Sequence, residues 1–266
     1  MKGKKNIMKI LAIGDVVSRI GRDMLFRYVD EIKYQKGIDL VIANGENSSH
    51  GRGMTRSTYN EMMRAGVDCF TLGNHTWGAK EIAHILNNED NVIRPANYSG
   101  NVPGRGSMLI HTKSGETVGI INLIGRVYMD PADSPFDAAL REIEKLRKKT
   151  NTILVDFHAE ATSEKEAMGY FLDGKVSAVF GTHTHVQTSD EQILQKGCGY
   201  ITDLGMTGAR TSVLGMNVHI ILDRMVNGIP GKFELAGGKG QLCGCIFEID
   251  GSGKCIDIER VYLKEK

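Results

Sequence analysis

The feature that most constrains this chain is an arrangement repeated three times in its first third. A short apolar run at residues 9–13 leads to Gly14-Asp15 and then a helical pattern over 21–35. A second run at 40–43 leads to Asn44-Gly-Glu46-Asn47-Ser-Ser and a helical stretch over 55–65. A third, at 69–72, leads to Gly73-Asn74-His75 and a helix near 80–86. Strands alternating with helices predict βαβ units and a largely parallel sheet. Right-handed crossovers then collect the strand ends on one side.

The middle of the chain is richer in turns. Residues 107–110 and 117–123 read as a strand pair around Lys113-Ser-Gly-Glu116. A helix is expected over 135–149, with Ser134 as its cap and Pro135 at its first position. A strand at 153–157 ends at His158. A helix over 163–172 carries Ser163-x-x-Glu166 as a capping box. A strand at 178–180 ends at Gly181-Thr-His183-Thr-His185. From residue 199 onward the pattern is β, at 199–201, 216–222, 241–249 and 255–263. No linker-like shift, repeat or low-complexity tract interrupts it. The expectation is one α/β domain over 8–263, two sheets flanked by helices, after a short extension at 1–7.

Charge and cysteine usage exclude several classes. Lys plus Arg number 33 and Asp plus Glu 32, so no global basic field draws nucleic acid or anionic membrane. A bound anion must be held by local chemistry. The five cysteines are odd in number and scattered, which argues against a disulfide framework. Cys243 and Cys245 alternate within a strand pattern and read as small core residues. No run approaches the ~18 apolar residues of a membrane span. The basic start leads directly into a strand without a cleavage pattern, so a cytoplasmic protein is expected.

Five apolar strands end in residue types that ligate metals: Asp15, then Glu46 and Asn47, then Asn74 and His75, then His158, then His183 and His185. Each alone has a plainer role, as a turn residue, a helix cap or a core histidine. In an open α/β sheet, however, ligands bind at the carboxyl ends of the strands, and there these residues would meet. The donors are oxygen and imidazole nitrogen without thiolate, which favours a catalytic site for manganese, iron or zinc over a structural zinc site. They are too many for one ion and suit two, clamping the attacking and leaving oxygens of an in-line displacement. Glu46 is placed to bridge. His75 adjoins a candidate ligand without being needed as one and is the candidate general acid. His50 either touches substrate or is solvated in its loop; His84, His111 and His219 read as structural.

The series Gly14-Asp15, Gly45-Glu46-Asn47, Gly73-Asn74-His75-Thr76-Trp77, Phe157-His158-Ala159-Glu160 and Gly181-Thr-His183-Thr-His185 resembles the calcineurin-like metallophosphoesterases. Within them it is most similar to the YmdB-like bacterial branch of 2′,3′-cyclic nucleotide phosphodiesterases, over nearly the whole chain. The wider superfamily begins Asp-x-His and bridges with Asp; here Val17 and Glu46 stand at those places, and the YmdB-like branch shares both changes. The resemblance implies a four-layer α/β/β/α sandwich and two metal ions, iron in the first instance, with manganese or zinc able to substitute. It implies one ion held by Asp15, Glu46, Asn47 and His185, and the other by Glu46, Asn74, His158 and His183. It implies metal-hydroxide attack on a 2′,3′-cyclic nucleotide such as 2′,3′-cyclic AMP, with His75 as proton donor, and it makes a homo-oligomer an option. Thr207 and Gly208, in a turn-rich stretch after a strand, either line the site or form a plain turn. Arg19, Arg22 and Arg126 are phosphate-clamp candidates or surface residues. Two other functions stay open: a nucleotide-binding regulator with slow hydrolysis, and a phosphoesterase for another ester. Gly14-Asp-Val-Val-Ser-Arg-Ile-Gly21 is not a dinucleotide turn, and no Walker loop or Gly-x-Ser-x-Gly elbow occurs.

Overall fold

A computed structural model describes residues 7–266; residues 1–6 of the expected extension lie outside the described residues. The chain begins with β1 (Met8–Ile13), β2 (Asp15–Val16) and α1 (Ser18–Lys36). It continues through β3 (Leu40–Asn44), α2 (Arg56–Arg64), β4 (Cys69–Thr71) and α3 (Ile82–Asn88). A hairpin of β5 (Ser107–His111) and β6 (Thr117–Ile124) precedes α4 (Pro135–Arg147), β7 (Thr152–His158), α5 (Thr162–Leu172) and β8 (Ala178–Thr182). The last part holds β9 (Gln192–Ile193), β10 (Gly199–Ile201), β11 (Met206–Ala209), α6 (Val218–Asn227), β12 (Gly240–Ile249) and β13 (Cys255–Lys264).

The strands form two sheets. One has the order β2-β11-β12-β1-β3-β4, with β13 also paired to β12; the other has the order β5-β6-β7-β8-β10-β9. β1, β3 and β4 run parallel, as do β6, β7, β8 and β10. The late strands β12 and β13 add antiparallel pairs.

Side-chain alternation explains the layering, because successive residues of a strand face opposite ways. Ile10, Ala12, Leu40 and Ile42 of the first sheet meet Val118, Ile120, Leu154 and Phe180 of the second. Their neighbours Leu11, Ile13, Val41 and Ala43 pack instead on Leu25, Val29, Met62 and Ile85 from α1, α2 and α3. On the far side, Ile121, Leu123, Ile153 and Val155 pack on Ala139, Ile143, Met168 and Leu172 from α4 and α5. These three cores separate four layers, α/β/β/α, as expected. Strands buried on both faces read as continuous apolar runs, and each large side chain so buried is worth about 1.5–3 kcal/mol.

Two local expectations are corrected. Residues 216–222 form no strand: α6 starts there, with Asn217 Oδ1 accepting from the His219 backbone N–H at 2.9 Å. Its branched apolar residues imitate a strand, but the Asn cap and the left-handed Gly228 after it are helix boundaries. His219 therefore lies on an exposed helix. The Ser163–Glu166 capping box does not form, because α5 begins one residue earlier, after Ala161, and Ser163 is already inside it. The Ser134 cap of α4 is present, accepting from Asp137 N–H at 3.3 Å. No helix among the described residues is long and apolar enough to cross a membrane.

Candidate metal centre

The carboxyl ends of β1, β3, β4, β7 and β8 meet at one rim, and the residues following them converge there. Asp15, Glu46, Asn47 and His158 are each at most 2% exposed. Removing two carboxylates from water is costly unless positive charge or hydrogen bonds compensate.

The donor atoms fall into two groups that share Glu46. In the first, His158 Nε2 lies 2.8 Å from Asn74 Oδ1, 3.1 Å from His183 Nδ1 and 3.2 Å from Glu46 Oε1. In the second, His185 Nε2 lies 3.6 Å from Asp15 Oδ1, and Asn47 Nδ2 lies 3.3 Å from His185 Nε2 and 3.4 Å from both Asp15 Oδ1 and Glu46 Oε1. Nitrogen and oxygen ligands sit ~2.0–2.2 Å from zinc-like ions, which sets neighbouring ligand atoms of one ion about 2.8–3.6 Å apart, from octahedral to tetrahedral angles. Both groups have that spacing.

The tautomers support the same reading. Thr182 Oγ1 donates to Asp156 Oδ1 at 2.7 Å, so toward His158 Nδ1, 2.9 Å away, it accepts. His158 thus carries its proton on Nδ1 and aims Nε2 inward. His185 Nδ1 lies 3.1 Å from the Leu214 carbonyl, which only accepts, so its Nε2 also faces inward without that proton. His183 Nε2 donates to Glu160 Oε2 at 3.0 Å, leaving Nδ1 toward His158. Three outward N–H bonds direct three ring lone pairs at two carboxylates. Outer partners of this kind orient metal-ligating histidines. Glu46, His158 and His183 form a group that could hold a metal ion, and its nitrogen and oxygen donors suit a borderline divalent cation.

Protons answer this excess of acceptors in part. Burial pushes His158 down, but Glu46, Asp15 and Asp156 outweigh it and raise it to about 9. Burial pushes Glu46 up, and His158 and His75 outweigh it, leaving the carboxyl below its ordinary value. Asp15 is likewise lowered, burial being overcome by His185 and His158. His183 goes the other way: burial, then His158, push it down to about 4. The ring facing His158 is therefore neutral.

The backbone is shaped for this convergence. A Cβ on Gly14 would come within 1.8 Å of the Gly205 carbonyl oxygen, so only glycine lets β1 approach that loop. His183 and His185 have φ of 96° and 64°, a left-handed conformation unfavourable for side-chain-bearing residues. Between them, Thr184 donates to Asp203 Oδ2 through its N–H at 3.1 Å and its hydroxyl at 2.6 Å. Lys165, only 2% exposed, pairs with the same oxygen at 2.6 Å. Leu204 N–H to Gly181 O and Met206 N–H to His185 O bracket the segment. A buried ion pair thus fastens the two strained histidines.

His75 lies at the rim, its side chain 30% exposed. Its backbone N–H donates to Glu46 Oε2 at 2.8 Å, and its Nδ1 is 2.6 Å from Asn47 Oδ1. Burial lowers its pKa against the pull of Glu46, with Arg52 and His158 adding to the lowering.

The remaining candidates are bonded to other partners or exposed. Thr207 and Gly208 form no turn at the cluster; they lie in buried strand β11, and Thr207 Oγ1 donates to Cys243 O at 3.3 Å. Arg22 is bound to Glu61 at 2.6 Å and to Ser48 O, and Arg19 pairs with Asp23 in solvent. Arg126 is exposed, and His50 is an exposed loop residue bonded to Ser49 Oγ at 3.3 Å. Sequence reasoning passed over Arg52, whose charge reaches His75, and the outer partners Thr182, Asp156, Leu214 and Lys165. All five cysteines are free and buried.

Comparison with known proteins gives concordant results. Residues 11–261 match the family model described as YmdB-like protein. A Bacillus subtilis protein named 2′,3′-cyclic-nucleotide 2′-phosphodiesterase is 44% identical over 97% of this chain and 98% of its own. The crystal structure of a hypothetical protein from Thermus thermophilus superposes with a TM-score of 0.91 at 40% identity, covering 97% of this chain and 100% of that one. A Mycoplasma pneumoniae structure described as a novel phosphatase gives 0.91 at 35% identity, covering 98% of this chain and 95% of that one.

Proposed function

The chain belongs to the YmdB-like family, and we propose that it is a two-metal phosphodiesterase that opens 2′,3′-cyclic nucleotides such as 2′,3′-cyclic AMP. The observation that carries this reading is the convergence of three imidazole lone pairs on two buried carboxylates, each ring turned by an outward N–H bond. The relative at 44% identity, named for this reaction, supplies the substrate class.

In this reading Asp15, Glu46, Asn47 and His185 hold one ion, and Glu46, Asn74, His158 and His183 the other. Iron is the proposed metal, with manganese or zinc able to replace it. Bound there, such ions supply Lewis acidity toward the phosphoryl oxygens and make water more acidic. The two ends of the Asn47 amide are nearly isosteric, and oxygen is the end a cation takes. With that oxygen inward, Nδ2 donates to His75 Nδ1 and the His75 proton rests on Nε2. Water adds to phosphorus, the P–O2′ bond breaks, and the His75 Nε2 proton passes to O2′. The product is a 3′-phosphate monoester, with one water consumed. We also take residues 8–263 as one domain and the cytoplasm as its compartment, which accords with five free thiols.

The test is phosphorus NMR of the metal-loaded protein with 2′,3′-cyclic AMP. Adenosine 3′-monophosphate is the expected product. Formation of the 2′-monophosphate would reverse the assigned leaving oxygen, and an unreacted ester would remove the substrate class.

A further inference from the structure

The only tryptophan in the chain, Trp77, lies two residues after His75 in the 3-10 turn Thr76–Gly78 and is 43% exposed. An indole held open to solvent adds little to the core, so its position calls for another explanation. Beside it is Tyr98, with ring centroids 6.1 Å apart and planes at 38°. The Tyr98 hydroxyl donates to Gly73 O at 3.0 Å, which fixes its ring against the Gly73-Asn74-His75 turn. Together the rings line a cleft of about 440 Å³, bounded further by Asn74, Val102, Asp130 and Asp133. That volume falls within the ~300–1,000 Å³ usual for small-molecule sites. Asn74 belongs both to this cleft and to the donor cluster.

We infer that this cleft seats the base of the nucleotide, stacked on the open face of Trp77. The inference rests on the reading of the metal centre as a cyclic nucleotide phosphodiesterase. The leaving oxygen in that reaction belongs to the ribose, and His75 protonates it. The ribose must therefore sit on the His75 side of phosphorus, and the base one sugar ring beyond it. Trp77, in the turn that follows His75, and Tyr98, bonded to Gly73 O, are the aromatic rings that border this loop. Asp130 and Asp133 are acceptors for the exocyclic amines of adenine, cytosine and guanine, which uracil lacks.

A second cleft, of about 450 Å³, borders His185 and is lined by Arg210, Gln241 and Tyr262. Its aromatic face is already engaged. The Tyr262 hydroxyl bonds Gln241 Oε1 at 3.2 Å, and Lys264 Nζ lies 4.6 Å from the ring centroid.

The experiment compares kcat/KM for 2′,3′-cyclic AMP with kcat/KM for base-free ribose 2′,3′-cyclic phosphate on metal-loaded wild type, Trp77→Ala, Trp77→Phe and Tyr262→Ala. Trp77→Ala is expected to lower the nucleotide-to-ribose ratio about tenfold, the scale of one base–aromatic stack, and Trp77→Phe to restore most of it. In parallel, the Trp77 fluorescence of the wild type is expected to be quenched saturably by adenosine 3′-monophosphate and not by inorganic phosphate. A ratio that Trp77→Ala leaves unchanged, or that falls only in Tyr262→Ala, overturns the assignment. If wild type cleaves neither ester, the underlying reading of the site fails. The quenching titration then decides the base subsite independently, with no quenching overturning it.

Discussion

Nδ1 of His183 faces Nε2 of His158 across 3.1 Å, with the rings at 66° to one another. The outer proton of each ring is engaged elsewhere, by Glu160 and by Thr182. Two bare imidazole nitrogens at this distance repel. A shared cation, or a proton on one of them, resolves the repulsion. The raised pKa of His158, about 9, shows that a proton is strongly held at this place. Metal and proton are thus competitors for one position, and metal uptake should release protons.

That competition gives a pH signature in the metal-free protein. His158 is raised from 6.5 to about 9, so its contribution to stability is fully present below 6.5 and is lost as pH rises through about 9. Asp156, raised by burial to about 6, loses its contribution as pH rises through that value. Glu46 is held below its ordinary 4.5, and its contribution is lost as pH falls below that. His183, lowered to about 4, loses its contribution as pH falls from 6.5 through that value, so the melting temperature of chelator-treated protein should peak near 6.5. Metal-loaded protein should hold its stability further into the alkaline range. Melting scans of both forms from acid to pH 9 check this; two parallel curves would contradict it.

Thr182 sets the His158 tautomer through the outer ring nitrogen and is not itself one of the donors. Thr182→Val keeps the shape and removes the acceptor for His158 Nδ1–H. The cost should be about 1–3 kcal/mol for the unpaired N–H. Metal affinity should fall about 10- to 100-fold, as when outer partners are lost elsewhere. Competitive titration with a fluorescent chelator measures the second effect. Unaltered affinity would mean that the tautomer is fixed by other means.

The Lys165–Asp203 pair is expected to be structural first and catalytic through position. Asp203→Ala strands a buried ammonium and frees Thr184, and should cost about 3–5 kcal/mol. Lys165→Met with Asp203→Asn removes both charges and should recover much of that loss. Denaturant unfolding of the single and double variants separates these effects. If the double variant is as unstable as the single, the loss comes from the freed His183–His185 backbone and not from the unpaired charge.

His75 should be separable from metal binding. His75→Ala is expected to retain both ions and lower kcat about 10²–10⁴-fold, the usual contribution of a general acid. The loss should shrink for an ester whose leaving group is a nitrophenolate, which needs no protonation. An equal loss on both substrates would assign His75 to positioning.

The fold was legible where its physics is one-dimensional. Strands buried on both faces must be apolar along their length, so the polar residues that end them, Asp15, Glu46, Asn74, His158 and His183, stood out. α6 was not legible, because its Val, Ile and Leu residues resemble a strand and its Asn217 cap is a single-residue signal. The partners that orient the ligands left even less trace. Thr182 looks like an ordinary strand threonine, and Leu214 contributes a backbone carbonyl that no side chain advertises. The Lys165–Asp203 pair joins residues 38 apart in sequence, so only the folded chain discloses it. Thr207 lies in a turn-rich neighbourhood yet sits in strand β11, which pairs with β2 and Asp15, while its hydroxyl bonds Cys243 of β12.

The central claim is that two groups of donors sharing Glu46 hold two metal ions that the reaction requires. The most direct measurement is the metal content of purified, iron- or manganese-reconstituted protein by plasma mass spectrometry, with hydrolysis of 2′,3′-cyclic AMP followed on the same sample. The account predicts about two ions per chain in the wild type, and joint loss of metal and turnover in Glu46→Gln and His158→Ala. Turnover that persists in protein stripped of metal, or a reconstituted protein that binds none, would contradict it.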